Sequence, residues 1–208
     1  MRLPKFHRAA MAGASLGMLL AASPALADET ADAVGAIRAA VERFQDVDVA
    51  LADGYLRDPA NHCYSAEMMG MPAEWGVMGV HFFRPDLLGV TATEPKVDGN
   101  GLYLDWDQPS ILIYEPQADG SLELVAVENL VFKAAWEAAG NSEPPKLLGR
   151  TWDHMLDNPD TADLDEAHGF TEHYDQHVWV FRDNPKGVLE PFNPAATCEH
   201  HTEQHTHD

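Results

Sequence analysis

The chain has 208 residues, of which 45% are hydrophobic, so it is long and apolar enough for one domain with a buried core. Its 34 acidic residues outnumber its 13 basic residues, which gives a formal net charge of −21 with the histidines neutral. A surface this acidic repels phosphate backbones and anionic lipid headgroups, so nucleic acid and membrane surfaces are disfavoured as partners. It attracts cations, although acidity of this kind can serve solubility alone.

The first 27 residues have the composition of a cleavable export signal. Arg2, Lys5 and Arg8 give a basic start, and residues 9–22 form an uncharged, mostly apolar run. Residues 25–27 read Ala-Leu-Ala, the small-x-small pattern that precedes cleavage. Because the apolar run is shorter than the roughly 20 residues of a membrane-spanning helix, we predict a signal peptide at residues 1–27 rather than an anchor.

Cleavage after Ala27 would leave an acidic domain in the periplasm or outside the cell. The removed segment holds three basic residues and no acidic residue, so the net charge falls from −21 to −24. We predict one soluble domain at residues 28–198, followed by a disordered, histidine-rich tail at residues 199–208.

Cys63 and Cys198 are the only cysteines of the chain. In an oxidising compartment a single pair of cysteines is expected to form a disulfide, here between segments far apart in the sequence. The alternative is that both residues are free thiols that bind a metal ion.

Residues 30–52 carry the clearest helical periodicity. The apolar residues follow one another at steps of three, four, three and seven, which places on one face Val34, Ile37, Val41, Phe44 and Leu51. The pattern predicts an amphipathic helix whose apolar face packs on another layer.

Strands are predicted at residues 76–83, 110–115, 121–132 and 173–181, where apolar runs alternate with loops. Glycines in the first run indicate a buried strand or a bulge. Residues 116–120 read Pro-Gln-Ala-Asp-Gly, which predicts a hairpin turn. The order of elements predicts an α+β fold, with the N-terminal amphipathic helix packed on a mainly antiparallel sheet with long loops.

Several segments carry recognisable motifs, at residues 78–81, 110–115, 125–128, 173–179, 184–187 and 192–198. Together they resemble a family of secreted bacterial proteins of unknown function. The resemblance covers most of the chain after the predicted signal, and it implies no activity and no site residue. Asn129 departs from the family, in which an aromatic residue is expected at this position.

Glu128 is a carboxylate in an apolar strand. By strand alternation it shares a face with Leu122, Leu124, Ala126, Leu130 and Phe132. An ionised carboxylate there costs free energy unless it is paired, hydrogen-bonded or bound to a metal. His81 lies in a similar apolar run, and the alternative for both residues is a hydrogen-bonded place in the core.

Residues 173–179 read His-Tyr-Asp-Gln-His-Val-Trp. On a strand, His173, Asp175 and His177 point to the same side. Asp175 and His177 are close enough to share one metal ion, whereas His173 lies about 13 Å from His177 along a straight strand and joins them only if the chain bends. The alternative is a polar strand edge around a packed Trp179.

These residues together predict an internal transition-metal site formed by His81, Glu128, His173 and His177. Two histidines and a carboxylate suit Zn, Cu, Fe or Mn and leave a coordination position open, which could activate water or oxygen on a small substrate. A catalytic role is left open.

Two weaker signals accompany this site. The tail offers an accessory metal site at His200, His201, His205 and His207, or it is simply solvated. Soft thioethers, which favour copper, are present at Met68, Met69, Met71 and Met78. Methionines are more often core fillers, so the favoured ions are Cu and Zn together.

Two other functions fit the same residues. A metal-free binding module would use the histidines and Glu128 to line a pocket for a small polar molecule. A structural or interaction protein would have each polar group hydrogen-bonded to the backbone. Only a metal site requires His81, Glu128 and His177 to converge within bonding reach of one another.

Overall fold

A computed structural model describes residues 24–202. Most of the predicted signal peptide, and the end of the tail with His205 and His207, lie outside the described residues. The helices are α1 (Pro24–Val41), α2 (Val47–Ala52), α3 (Pro85–Leu88) and α4 (Lys133–Ala138). The strands are β1 (Leu56–Arg57), β2 (Cys63–Ser65), β3 (Val77–Phe83), β4 (Val90–Ala92), β5 (Asp98–Gly99), β6 (Ile111–Pro116), β7 (Leu122–Phe132), β8 (Lys146–Leu147), β9 (Arg150–Thr151), β10 (Asp153–Met155) and β11 (His173–Trp179).

The predicted N-terminal helix is present but is interrupted. After α1 the chain forms a 3-10 turn at Glu42–Gln45 and restarts as α2, where the Asp46 side chain accepts a hydrogen bond from the backbone N–H of Asp48 (3.0 Å). An aspartate in this capping position favours a new helix start. The apolar residues predicted on one face are buried as far as Phe44. Because the helix begins again at α2 in a new orientation, Leu51 is 45% exposed, and its predicted place on that face is wrong.

The central element is a seven-stranded sheet in the order β1-β3-β6-β7-β11-β10, with β2 pairing to β3. Every pairing in it is antiparallel. The predicted α+β class is therefore confirmed, and so is the turn between β6 and β7, where Gly120 N–H donates to the Gln117 carbonyl (2.9 Å).

The sheet is buried on both faces. The first face packs against the N-terminal helices, with Val80, Phe82, Leu112, Tyr114, Val127 and Val178 meeting Val34, Val41 and Phe44. The second face is covered by α3 and loops, which supply Leu88, Val97 and Phe170. Strands buried on both sides read as continuous apolar runs, and this is why polar residues in them stand out.

A β-bulge shifts the alternation of β7. Tyr114 of β6 pairs with Leu124, but Ile113 pairs with Ala126, so β7 has one extra residue between them. Leu124 therefore packs on the first face, with Leu122 beside that layer, and Ala126 on the second. The prediction that Leu122 and Leu124 share a face with Glu128 is wrong, because a bulge moves every residue beyond it to the other side.

Gly79 allows β3 to pass close to its neighbour. Its φ of +127° lies in the region that favours glycine, and a Cβ there would lie 2.7 Å from the Tyr114 carbonyl oxygen. A larger residue at this position would displace the strand two residues before His81.

Cys63 and Cys198 form a disulfide, as predicted, with their Cα atoms 5.8 Å apart. Cys63 lies in β2 opposite Val80 of β3. The bond therefore ties the C-terminal segment to the edge of the sheet that carries His81. Within residues 24–202, no helix is long and apolar enough to cross a membrane.

We expect the Cys63→Ser/Cys198→Ser double variant to lose about 2–5 kcal/mol of unfolding free energy, because the disulfide joins residues 135 positions apart and restricts the unfolded chain. Denaturant unfolding of the two proteins measures the difference. A reductant should lower the unfolding midpoint of the wild type and leave the double variant unchanged. An unaffected wild type would contradict the prediction.

Candidate metal centre

Six ligand-type side chains lie together on the second face of the sheet, each at most 2% exposed: His81, Glu128, His168, His173, Asp175 and His177. They form two groups of three, and within each group one ligand atom per residue lies within 4.8 Å of the others. Each group consists of two histidines and one carboxylate.

The first group joins three strands. His177 of β11 lies directly opposite Glu128 of β7, whereas His81 comes from β3, two strands away from β7. One carboxylate oxygen, Glu128 Oε2, lies 3.3 Å from His81 Nε2 and 3.4 Å from His177 Nε2. A single oxygen thus faces two imidazole nitrogens.

The second group has the same arrangement. Asp175 Oδ2 lies 3.7 Å from His168 Nε2 and 3.6 Å from His173 Nε2. His173 Nδ1 lies 2.7 Å from the Thr171 carbonyl oxygen, which can only accept a hydrogen bond. Nδ1 therefore carries a proton, and in a neutral imidazole Nε2 is the nitrogen with the free lone pair.

The two groups touch. The rings of His81 and His168 are stacked with centroids 5.8 Å apart, and His168 and His173 meet at 5.3 Å. His168 lies in the loop before β11 and has a φ of +39°. This backbone conformation is uncommon outside glycine, and residues held in it concentrate at functional sites.

Most polar atoms of these groups have no hydrogen-bond partner within the described structure. This is true of both ring nitrogens of His81, His168 and His177, of Nε2 of His173, and of both carboxylate oxygens of Glu128 and Asp175. Leaving buried polar atoms unpaired costs about 1–3 kcal/mol each, so native proteins rarely do so without a reason.

Other polar residues nearby are satisfied. Asn129, next to Glu128, accepts from the Ser110 N–H (2.8 Å) and donates to the Asp105 carbonyl (3.1 Å). Ser110 Oγ accepts from the Leu130 N–H (3.3 Å). Buried polar groups directly beside Glu128 in the sequence, on the opposite face of β7, therefore have hydrogen-bond partners, whereas most ligand-type atoms of the two groups do not.

Burial sets the protonation of the first group. Desolvation lowers the pKa of His81 to about 3 and also lowers the pKa of His177, which leaves both imidazoles in the neutral form that binds metals. Desolvation raises the pKa of Glu128 to about 7, because its carboxylate has too few hydrogen-bond donors around it.

The pKa values in the second group are shifted mainly by the interaction between its charged side chains. Burial alone would raise the pKa of Asp175, but the imidazoles of His168 and His173 outweigh burial and hold that pKa well below its usual range. Burial likewise opposes the charged form of His168, yet Asp175 raises its pKa. The separations of 3.6 and 3.7 Å are nevertheless longer than the roughly 2.7–2.9 Å of a charge-assisted hydrogen bond.

The spacing suits a metal ion. An ion about 2.0–2.2 Å from two tetrahedral ligands holds those ligand atoms roughly 3.3–3.6 Å apart. The nitrogen–oxygen distances of 3.3 and 3.4 Å in the first group match this spacing, and those of 3.6 and 3.7 Å in the second lie at or just above its upper end.

Tyr64 contacts one histidine of each group and also lines a surface cavity. Its ring packs on His81 and His168 with centroids 5.2 and 5.4 Å away, and its hydroxyl donates to Asp58 (2.8 Å) or to the His168 carbonyl (3.2 Å). Tyr64 is also one of the residues that line a cavity of about 250 Å³, together with Ala60, His62, Met68, Met69, Asp163, Asp165 and Gly169.

The structure brings together three of the four residues predicted for the internal site, namely His81, Glu128 and His177. His173 lies instead in the second group, and Asp175, which had been paired with His177 on strand spacing, lies with His173. His168 was missed, because it lies in an acidic loop without periodicity. Only its place between two small residues, Ala167 and Gly169, hinted at burial.

The remaining candidates lie elsewhere. His201 Nε2 is 2.7 Å from the Asn61 carbonyl oxygen, and neither His200 nor His201 belongs to the two groups. Met69 and Met78 are core residues that pack with Tyr64, whereas Met68 and Met71 are exposed. The disulfide removes the thiols as ligands.

Comparison of the chain with protein-family models, with curated proteins and with solved structures finds no match.

In metal-free protein we expect Glu128→Met to leave the unfolding free energy unchanged or to raise it by about 1–4 kcal/mol, because an unpaired buried carboxylate is replaced by an apolar side chain of similar length. The matched control is Leu130→Ala on the same face of β7, which should lose about 2–5 kcal/mol. Unfolding in the presence of a chelator measures both. A loss for Glu128→Met as large as the control's would mean that Glu128 is an ordinary structural residue.

Proposed function

We propose that the protein binds a divalent transition-metal ion through His81, Glu128 and His177. The observation that carries this proposal is the convergence of their unpaired, fully buried ligand atoms at separations of 3.3 and 3.4 Å. A bound ion would provide a partner for buried polar atoms that, when unpaired, lower the free energy of unfolding. The imidazoles are neutral, which is the form that coordinates a metal.

The ligand types favour Zn²⁺ or Cu²⁺, with Fe²⁺ and Mn²⁺ as weaker candidates. Two imidazoles and one carboxylate are nitrogen and oxygen donors, and among the divalent ions of this series Cu²⁺ and Zn²⁺ bind such sites most tightly. The methionines do not strengthen the case for Cu⁺, since two are exposed and two fill the core. Three protein ligands leave a coordination position for water or a small molecule.

A metal site is favoured over a metal-free pocket. In a pocket the polar groups would surround a cavity, but the cavity that Tyr64 lines includes none of the three residues in its lining. In a purely structural role the polar atoms of these side chains would be hydrogen-bonded, but within the described structure the ring nitrogens of His81 and His177 and the carboxylate oxygens of Glu128 have no hydrogen-bond partner.

We also propose that the chain is exported and processed after Ala27, to act in the periplasm or outside the cell. The basic and apolar start supports this proposal, and the disulfide between Cys63 and Cys198 fits an oxidising compartment. The proposed cleavage point falls in the first turn of α1, which leaves the rest of the helix in the mature chain.

Metal binding is tested on chelator-treated protein loaded in turn with Zn²⁺, Cu²⁺, Fe²⁺ and Mn²⁺. The His81→Ala/His177→Ala variant should bind the ion of this group more than about 100-fold more weakly. Mutation of residues that only hydrogen-bond to metal ligands typically lowers metal affinity about 10–100-fold, and removal of the ligands themselves should lower it further. Competition with a chromogenic chelator measures the affinity.

Two controls separate this site from adventitious binding. His154→Ala removes a half-exposed imidazole that pairs with Glu172, and a chain ending at Cys198 removes the tail histidines. Both should keep the ion. If only the shortened chain loses it, the tail is the site, and the internal site is refuted.

Export is tested by the mass of the protein recovered from the cell envelope of an expressing bacterium. We expect the mass of residues 28–208, because Ala25-Leu26-Ala27 is the sequence that a signal peptidase accepts. Ala27→Arg should block processing and leave the full-length chain. An unprocessed wild-type chain in the cytoplasm would contradict the proposal.

A further inference from the structure

The second group repeats the first. It also has two histidines and one carboxylate, and again one carboxylate oxygen faces two ring nitrogens, at 3.6 and 3.7 Å. We propose that His168, His173 and Asp175 bind a second divalent metal ion, so that the protein carries a two-metal centre. This proposal rests on the proposed function of the neighbouring group.

Burial alone does not account for the second group. All three side chains are at most 2% exposed, and among residues 24–202 no hydrogen-bond partner is found for His168 Nδ1, His168 Nε2, His173 Nε2 or either Asp175 oxygen. The two histidine nitrogens lie at nearly equal distances from one oxygen of Asp175, which is the arrangement of ligands around a common centre.

The supporting contacts prepare the group for a ligand. The Thr171 carbonyl holds the His173 ring with Nε2 free, which is the role that a backbone carbonyl plays behind metal-binding histidines. His168 is held through its backbone, since its N–H donates to the Asp165 carbonyl (3.0 Å) and its carbonyl oxygen lies 3.2 Å from the Tyr64 hydroxyl. Its ring is thereby presented without using either ring nitrogen.

The two groups are close enough to act as one centre. His81 of the first group stacks on His168 of the second at 5.8 Å, and the same tyrosine, Tyr64, covers both rings. Two paramagnetic ions bound in these adjacent groups are expected to broaden each other's magnetic resonance signals. The cavity that Tyr64 lines contains Asp163 and Asp165, whose carboxylates attract cations towards this side of the groups.

The test counts ions in chelator-treated full-length protein loaded with Co²⁺ and then freed of unbound ion by gel filtration. The wild type should retain two ions per chain. The His168→Ala/Asp175→Asn variant and the His81→Ala/His177→Ala variant should each retain one, and their combination none. His154→Ala is the matched control and should retain two.

A spectroscopic measurement on Cu²⁺-loaded protein adds a readout that does not depend on counting. The wild type should show an electron paramagnetic resonance signal broadened by a neighbouring ion, and each group variant the sharp signal of an isolated ion. If a variant fails to fold, the two-step titration of the wild type by Co²⁺ absorption decides the question by itself.

The possible failures are distinct. One ion in the wild type that persists in His168→Ala/Asp175→Asn and is lost in His81→Ala/His177→Ala would overturn the second site and leave the proposed function standing. One ion lost in both variants would mean a single shared site and would also overturn the inference. No bound ion in the wild type would refute both proposals.

Discussion

The pairing of β7 with β11 is the interaction on which both the core and the candidate metal centre depend. The two strands run in register from the pair of Phe132 and His173 to the pair of Ala126 and Trp179. A slip of one residue would turn Val127 out of the helix-facing core and Glu128 into it. The apolar side chains that hold the register on one face therefore also fix the position of Glu128 opposite His177 on the other.

The other ligands reach this pair from separate parts of the chain, and each is fixed by a different device. His81 is carried by β3, whose close approach to β6 needs Gly79 and whose outer edge is tied to the C-terminal segment by the disulfide. His168 is placed by a turn with an uncommon backbone conformation. Tyr64 then closes over His81 and His168. Several constraints thus converge on one small region, as expected where a constellation must be preorganised.

This region is organised at the expense of stability. Beside Glu128 in the sequence, but on the opposite face of the sheet, Asn129 has hydrogen-bond partners, and so does Ser110, so the fold is able to satisfy buried polar groups. The six ligand-type residues are left largely unpaired, and apolar residues in their place would give a more stable metal-free protein. A bound ion would reverse this balance, because binding to the folded state alone adds its free energy to folding. Local rules broken without compensation are expected at functional sites.

The sequence by itself determined the α+β class, the disulfide and three ligand-type residues, because each depends on local or compositional information. His81, Glu128 and His177 were recognisable since a polar residue inside an apolar strand is unusual whatever surrounds it. Only the tertiary structure decided the rest. The bulge in β7 could not be predicted. Beyond a bulge the residues switch faces, but in a strand that is apolar on both faces this switch leaves the sequence pattern unchanged. The burial of His168, and the separation of His173 and Asp175 from the first group, depend on how a loop folds over the sheet, and no period in the sequence records that contact.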